Sequence, residues 1–408
     1  NLTIARDRFG EKPLYYGLQN GYFFFASQLN AILSNKRFKK EIDFDSVGLH
    51  QTYGFIPQPK SILKDVNKLP PATFMTFFKK DFNISEPIKY WSIEDCYLED
   101  NDYKNIVSLD ESVKKFEELL SKSVENQLLS DVPLGAFLSG GIDSSLVTSI
   151  MSNYITPKTF SIGFQDERYD ESKYAKDIAN HLNTEHTEFI LNNSDILDVI
   201  PDLYKVYDEP FSDSSQIPTI LLSKLTRKHV TVALSGDGAD ELFGGYNRHF
   251  YSKKWWPLIS KIPFNLRNSF VQIYQKFNFN YLYSSTKDIN RLKKALGAIG
   301  SRDDLDLYTA YLSEGQSAEH LQNIELNKKF INYEMYCKDF DVAEKLMILD
   351  TRYYLPDNVL VKVDRAAMSQ SLETRAPYLN SELFKFAIKI PMNHKIKGNK
   401  GKLVQIKL

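Results

Sequence analysis

The sequence predicts an α/β protein: a parallel sheet covered by helices, preceded by a β-rich N-terminal segment. Three observations predict it. From Ser108 onward, apolar strand-like runs alternate with helical stripes, the pattern of a parallel sheet with helices on both faces. Two of those runs end in turns of glycine, serine and acid, at Ser139–Ser145 and Ser235–Tyr246. Before them, residues 1–92 carry short β-branched or aromatic runs separated by glycines.

Taken in order, Thr3-Ile4-Ala5, Leu14-Tyr15-Tyr16 and Tyr22-Phe23-Phe24-Phe25-Ala26 read as strands, and Asn20-Gly21 between two aromatic runs as a hairpin turn. Pro57, Pro59, Pro70 and Pro71 punctuate a loop-rich stretch, and Phe74–Phe78 is a further strand. The stretch from Trp91 to about Asn105 is acidic and irregular, so residues 93–107 are the expected linker between units at 1–92 and 108–408. Val113, Phe116, Leu119, Leu120 and Val124 keep helical spacing. Leu134–Leu138 and Thr159–Phe164 read as strands, with Leu146–Met151 helical between them. Tyr174, Ile178 and Leu182 form a helical stripe, Thr187–Leu191 a strand, Ile217–Leu225 a helix and Val230–Leu234 a buried strand. Residues 250–345 suggest helix packing and no site. The chain closes on a Lys/Gly-rich stretch, Lys395–Lys402.

The totals narrow the function. Lys+Arg 51 against Asp+Glu 52 leaves a net charge of −1, which gives no general attraction for nucleic acid or an acidic membrane. No apolar run reaches the roughly 18 residues of a membrane helix. Cys96 and Cys337 have no paired spacing, so neither a disulfide framework nor a zinc site is expected, and reduced cytosolic thiols are the simpler reading.

The chemistry concentrates in three segments. Ser139-Gly140-Gly141-Ile142-Asp143-Ser144-Ser145 joins an apolar strand to a helix opening. Glycines let backbone approach a ligand, hydroxyls donate, and the helix N-terminus offers unpaired N–H groups, which together make an anion cradle. An acid inside a phosphate cradle repels its ligand unless a cation intervenes, so Asp143 implies Mg²⁺. The second turn, Ser235–Tyr246, packs three acids and four glycines into twelve residues. Helix capping accounts for one acid there, not for three; Asp143 and Asp240 could hold Mg²⁺ from two sides. In the third segment, Leu355–Met368, Pro356 and Asp357 suit a helix start, which places Lys362, Asp364 and Arg365 within about one turn. A charged solvent face is the plain reading of that pattern. Glu373 and Arg375 follow, and arginine recognises carboxylates through a two-pronged hydrogen bond, so an acidic substrate fits.

The glycine loop resembles the pyrophosphate loop of the ATP pyrophosphatase (adenine nucleotide alpha hydrolase-like) superfamily. Taken with Ser-Gly-Asp-Gly-Ala-Asp-Glu-Leu-Phe-Gly-Gly-Tyr at 235–246, Val361-Lys362-Val363-Asp364-Arg365 and Leu372-Glu373-Thr374-Arg375-Ala376-Pro377-Tyr378, it resembles glutamine-hydrolysing asparagine synthetases. Ala5–Tyr16 and Phe25-Ala26-Ser27 resemble the last part of that family's N-terminal-nucleophile glutaminase domain. The resemblance implies ATP-dependent amidation of the aspartate side-chain carboxylate through a β-aspartyl-AMP intermediate. Ammonia comes from glutamine, and AMP and pyrophosphate leave. It implies that Phe137, Leu138 and Ile162 line the adenosine pocket, and that Ser235 and Gly236 contact the nucleotide. Ser139, Gly140, Gly141, Asp143, Ser144 and Ser145 would hold the phosphates, with Mg²⁺ on Asp143 and Asp240. Asp237, Lys362, Asp364, Arg365 and Glu373 fall on the catalytic positions. Many members carry Glu where this chain has Asp237, one methylene shorter. The expected location is cytoplasmic, and a homodimer stays open.

The resemblance also raises expectations about the ends. Asn1 reads as the middle of a strand, downstream of the family's N-terminal Cys nucleophile, so the chain is expected to be a fragment unable to hydrolyse glutamine. It stops before a family basic segment whose lysine contacts pyrophosphate, and Lys397, Lys400 and Lys402 are not expected to substitute for it. Related readings stay open: an amidotransferase acting on a uronic acid of surface polysaccharide, a beta-lactam synthetase, or a non-catalytic ATP-binding scaffold. A tRNA-modifying relative would need a basic surface.

Overall fold

Seven strands run through the N-terminal residues: β1 (Leu2–Ala5), β2 (Tyr15–Gln19), β3 (Tyr22–Ala26), β4 (Val66–Lys68), β5 (Thr73–Phe78), β6 (Asn83–Ile84) and β7 (Ile88–Lys89). They form two antiparallel sheets, one with β5 paired to β1, β6 and β7, the other ordered β3-β2-β4. Asn20 and Gly21 both take positive φ, 53° and 73°, and close the β2–β3 hairpin in register Gln19↔Tyr22. That is the twist-matched two-residue turn that Asn-Gly favours. The computed structural model of this chain describes residues 1–99, 103, 106, 108–165, 170–277, 286–313 and 340–408. Cys337 lies outside them.

The second unit is built on β8 (Leu134–Phe137), β9 (Lys158–Phe164), β10 (Glu185–Leu191), β11 (Val232–Leu234) and β12 (Glu373–Arg375), ordered β10-β9-β8-β11-β12 with every pairing parallel. The chain leaves β8 outward through β9 to β10, then returns to β11 on the other side of β8. Successive connections therefore diverge between β8 and β11, which opens a crevice at their carboxyl ends. Gly135 lets β8 lie close to β9, since a Cβ there would stand 2.6 Å from the Lys158 carbonyl.

Helix Leu109–Leu128 opens on a capping box between Ser108 and Glu111 and buries Phe116, Leu119, Leu120 and Val124 in the main core. That core extends to the N-terminal unit. The Phe9 ring lies 5.3 Å from Trp91 and 5.6 Å from Phe384, edge to face, so one aromatic triad fastens the two units.

Four expectations need correction. The helix Ser172–His181 does not bury a Tyr174 stripe: Tyr174 is 66% exposed, and Ala175 and Ala179 form the inner face against Leu138. The glycine turn explains why, because a Cβ on Gly140 would fall 2.7 Å from the Tyr174 Cβ and 2.8 Å from the Ala175 nitrogen. Only small residues fit against that turn. No helix starts at Pro356. A π-helical run, Asp350–Val359, carries Pro356 and joins helices Val342–Leu349 and Leu360–Met368 without a cap, the wide turn absorbing the missing proline N–H. The expected linker holds a helix, Ile93–Leu98, capped by the Ser92 hydroxyl and anchored by buried Cys96. The Val230–Leu234 run enters the sheet only at Val232, and a fifth strand, β12, joins the sheet at Glu373–Arg375, where the sequence carries no strand signal. No described helix is long and apolar enough to cross a membrane.

Candidate functional site

The two acid turns sit where the sheet opens. Gly141 is the N-cap of helix Ile142–Met151 and makes no side-chain cap bond, so the first-turn N–H groups face the crevice uncapped. Within the turn, the Ser144 hydroxyl accepts from the Ser139 nitrogen (3.2 Å) and the Gly141 nitrogen donates to the Ser139 hydroxyl (3.3 Å). After β11, Gly236 carries the chain against this loop. A Cβ on Gly236 would lie 2.9 Å from the Asp143 Cβ and 3.0 Å from the Ser144 nitrogen. Glycine at this position is what lets the two turns touch.

Between them lies a cavity of about 520 Å³. Phe137, Leu138, Phe160, Ile162, Leu222 and Val359 supply an apolar end, suited to a flat heterocycle. Ser139, Gly141, Asp143 and Ser144 line it from the first turn, and Ser235, Gly236, Asp237 and Asp240 from the second. Lys362 reaches the wall from helix Leu360–Met368 and stands 3.7 Å from Asp213.

Asp143 and Asp240 come together. The Lys402 ammonium donates to Asp143 Oδ2 at 2.5 Å and to Asp240 Oδ1 at 2.6 Å, and Gln405 Nε2 donates to Asp143 Oδ1 at 2.9 Å. Burial pushes the Asp143 carboxyl up to about 6, with the Lys402 charge opposing and Asp240 reinforcing the rise. Burial works against the Lys402 charge too, but the two carboxylates outweigh it and raise its pKa. Asp237 is raised by burial against the counter-pull of Lys362.

The donor set fits magnesium. Two carboxylates on adjoining turns provide hard oxygen ligands, and among the described residues no cluster of three or more His, Cys, Asp or Glu could complete a protein-only metal site. A Mg²⁺ ion held there would take these carboxylates and complete its shell with phosphate oxygens and water.

Other expected residues lie elsewhere. Gly140 shapes the turn against helix Ser172–His181, and the Ser145 hydroxyl donates back to the Gly141 carbonyl at 2.6 Å; neither lines the cavity. Asp364 and Arg365 leave the same helix as Lys362 but face the N-terminal unit. Asp364 accepts from Lys12 at 2.8 Å, while Arg365 donates to the Ser27 carbonyl at 2.6 Å and pairs with Asp208 at 3.1 Å. Glu373 is half-exposed on β12 and pairs with Arg375 at 2.7 Å. Geometry therefore separates Asp364, Arg365 and Glu373 from the cavity and makes the first two a seam between the units. The seam continues through buried Lys68–Glu209 at 2.5 Å and through Asp357, which accepts the Gln58 nitrogen at 2.7 Å.

Sequence reasoning missed Glu241, Tyr246 and Tyr354 on the cavity wall. Glu241 accepts from the Tyr246 hydroxyl at 2.6 Å, and burial, helped by Asp240, pushes its carboxyl up to about 8. The Arg248 guanidinium stacks 4.0 Å over Tyr246 and 4.7 Å over Tyr354. The signal for Glu241 and Tyr246 stood inside the second turn, where all three acids read alike.

An asparagine synthase family model matches residues 115–405, and a glutamine amidotransferase domain model matches residues 1–91. A Methanocaldococcus jannaschii protein, provisionally named a glutamine-hydrolysing asparagine synthetase, is 36% identical over 377 residues, 90% of this chain and 69% of its own length. Glutamine-hydrolysing asparagine synthetase 1 of Bacillus subtilis is 28% identical over 415 residues, 98% of this chain and 61% of its own. The chain thus spans about two thirds of the length of these relatives. With a family match over most of its length and its sheet opening between the two acid turns that carry the family pattern, this chain belongs to the asparagine synthase family.

Proposed function

We propose that the protein contributes the ATP-dependent half of an amidation. The aspartate side-chain carboxylate attacks the α-phosphate of ATP, pyrophosphate leaves, and ammonia drawn from glutamine displaces AMP from β-aspartyl-AMP to give asparagine. One observation supports this reading: Asp143 and Asp240, on the turns after β8 and β11, come close enough to share the Lys402 ammonium beside a pocket with an apolar end. The Ile142–Met151 N-terminus and the Ser139 and Ser144 hydroxyls orient the phosphates, and the Phe137–Ile162 end receives the base. Asp143 and Asp240 would hold magnesium, which when bound neutralises charge on the phosphates. Lys362, beside Asp237 on the wall, faces the place where an acceptor carboxylate would sit and attracts it.

Exchange of labelled pyrophosphate into ATP tests the reading. Asp143→Ala is expected to lower the aspartate-dependent exchange rate by roughly 10²–10³ or more, the scale seen when one charge-stabilising group is removed. Near-unchanged exchange would refute the assignment. Offering uronic acids beside aspartate identifies the acceptor: exchange with a uronic acid alone moves the activity to a sugar carboxylate while leaving the nucleotide chemistry intact.

A further inference from the structure

The segment that ends in Lys402 is built into the phosphate site. Gly401 passes the second turn so closely that a Cβ on it would meet the Gly244 carbonyl at 2.0 Å, and one on Gly245 would meet Asp240 Oδ1 at 1.7 Å and the Lys402 Cε at 2.3 Å. Lys402 itself holds a left-handed φ of 55°, which a side chain takes at some cost. Its nitrogen donates to the Phe243 carbonyl at 3.0 Å, which pins the segment to the helix of the second turn. Three residues on, Gln405 bridges Asp143 Oδ1 and the Tyr378 hydroxyl, at 2.9 and 3.2 Å. The short helix Leu403–Lys407 packs on helices Leu109–Leu128 and Ile142–Met151. The Lys402 side chain is 15% exposed. Asp143 Oδ2 and Asp240 Oδ1, the oxygens expected to face a divalent cation, are the two that the ammonium occupies.

We propose that Lys402 is a resident counter-ion which the divalent cation must displace, and that the freed ammonium then turns to the nucleotide phosphates. The inference rests on the assignment of Asp143 and Asp240 as the cation ligands. An ammonium and a dication cannot occupy the same position between two carboxylates, so they compete. One ammonium leaves the pair of acids with a net negative charge, enough to keep the turns from repelling apart and too little to receive a triphosphate. A dication arriving with ATP satisfies both carboxylates, and Lys402, on a flexible four-carbon stem, has a new anion within reach. Metal without nucleotide offers the ammonium no such destination. Binding of the metal alone is therefore held weak, and metal and ATP bind with strong mutual support.

Mn²⁺ titrations followed by electron paramagnetic resonance test this on the whole chain, first without nucleotide. Lys402→Met is expected to tighten Mn²⁺ binding about tenfold or more, since a tenfold change corresponds to ~1.4 kcal/mol of lost competition. The same variant is expected to weaken ATP binding in the presence of Mn²⁺. Unchanged or weaker Mn²⁺ binding by Lys402→Met, with Asp143→Asn still abolishing it, overturns the exchange and leaves the ligand assignment standing. Wild-type Mn²⁺ affinity in Asp143→Asn overturns the ligand assignment itself. Should Lys402→Met fail to fold, hydrogen exchange on the wild-type protein decides. Amides of residues 402–407 are expected to exchange faster once Mn²⁺ and ATP are added together, and unchanged protection refutes the displacement.

Discussion

Arg365 is the sharpest place to test the seam between the units. Its side chain is 3% exposed, Asp208 opposite it is 1% exposed, and Arg365 also supplies a donor to the Ser27 carbonyl. Arg365→Met removes the cation and keeps the stem's bulk, stranding a buried carboxylate. Removing one partner of a buried pair costs about 3–5 kcal/mol, and Asp208 retains the Leu29 N–H at 2.9 Å, so the lower end, ~3 kcal/mol, applies. At ~2.1 cal/mol/K per residue, 408 residues give an unfolding entropy of about 0.9 kcal/mol/K, and the expected fall in Tm is ~3–4 °C at pH 7. The pH dependence carries the mechanism. Burial already raises the Asp208 pKa, with Arg365 pulling it back, so losing Arg365 raises it further. A carboxyl whose folded pKa exceeds its unfolded one destabilises only while it is charged in the unfolded chain. The deficit is therefore full at neutral pH and shrinks as pH falls toward about 3.9, where both states hold the proton. Calorimetry across that range reads both quantities. A fall in Tm under about 1 °C, or a deficit that grows on acidification, would refute the reasoning.

Three further outcomes follow from local geometry. Gly236→Ala forces a Cβ against Asp143 and the Ser144 backbone, so the phosphate loop must shift; the KM for ATP is expected to rise about tenfold or more, and an unchanged KM sinks the close-approach argument. Asp350 is fully buried between Arg248 (2.8 Å) and His249 (2.7 Å), and their pull outweighs burial to lower its pKa. Its stabilisation is present above the unfolded carboxyl value and is lost as pH falls through the lower folded value, so Asp350→Asn should cost ~3–5 kcal/mol at pH 7 by denaturant titration and far less in strong acid. Lys395 is 3% exposed, and burial lowers its ammonium pKa from 10.5 to about 8. The unfolded chain holds that proton to higher pH, so stability rises between about pH 8 and 10.5. Lys395→Met should stabilise by about 1–3 kcal/mol at pH 7 and abolish that rise, whereas an equally steep rise in the variant places its cause elsewhere.

What could be seen in the sequence was what depends on residue identity within a few positions. The Ser139–Ser145 turn needs glycines for backbone approach and hydroxyls for donors, so its letters carry its geometry, and the pairing of Asp143 with Asp240 was legible because both acids follow apolar strand runs in glycine turns. What stayed hidden depends on distant neighbours. Tyr174 fits a helical stripe, but the turn at Gly140 presses on that helix and admits only Ala175 and Ala179. Glu373-Thr374-Arg375 has neither alternation nor an apolar run, and becomes a strand because β11 offers an open parallel edge. Pro356 carries a helix-start signal that a π-helical run overrides. Arg365 and Asp364 share a helix with Lys362, but the advance of about 100° per residue carries them to other faces, and only the fold shows that Lys12 and Ser27 of the N-terminal unit wait there. Lys402 is not expected from the sequence to stand in for the family's pyrophosphate lysine, since nothing near it in the chain reveals two acids that lie far away in sequence.

The strand order has a consequence for biosynthesis. As the polypeptide leaves the ribosome, β8, β9 and β10 emerge successively and can zip up side by side, but the growing edge at β8 then waits for β11. The acid turn that follows β11 therefore meets its counterpart late, and Lys402 later still. A nascent chain thus carries the glycine turn well before the segments that close against it, so the two turns can meet only near the end of synthesis.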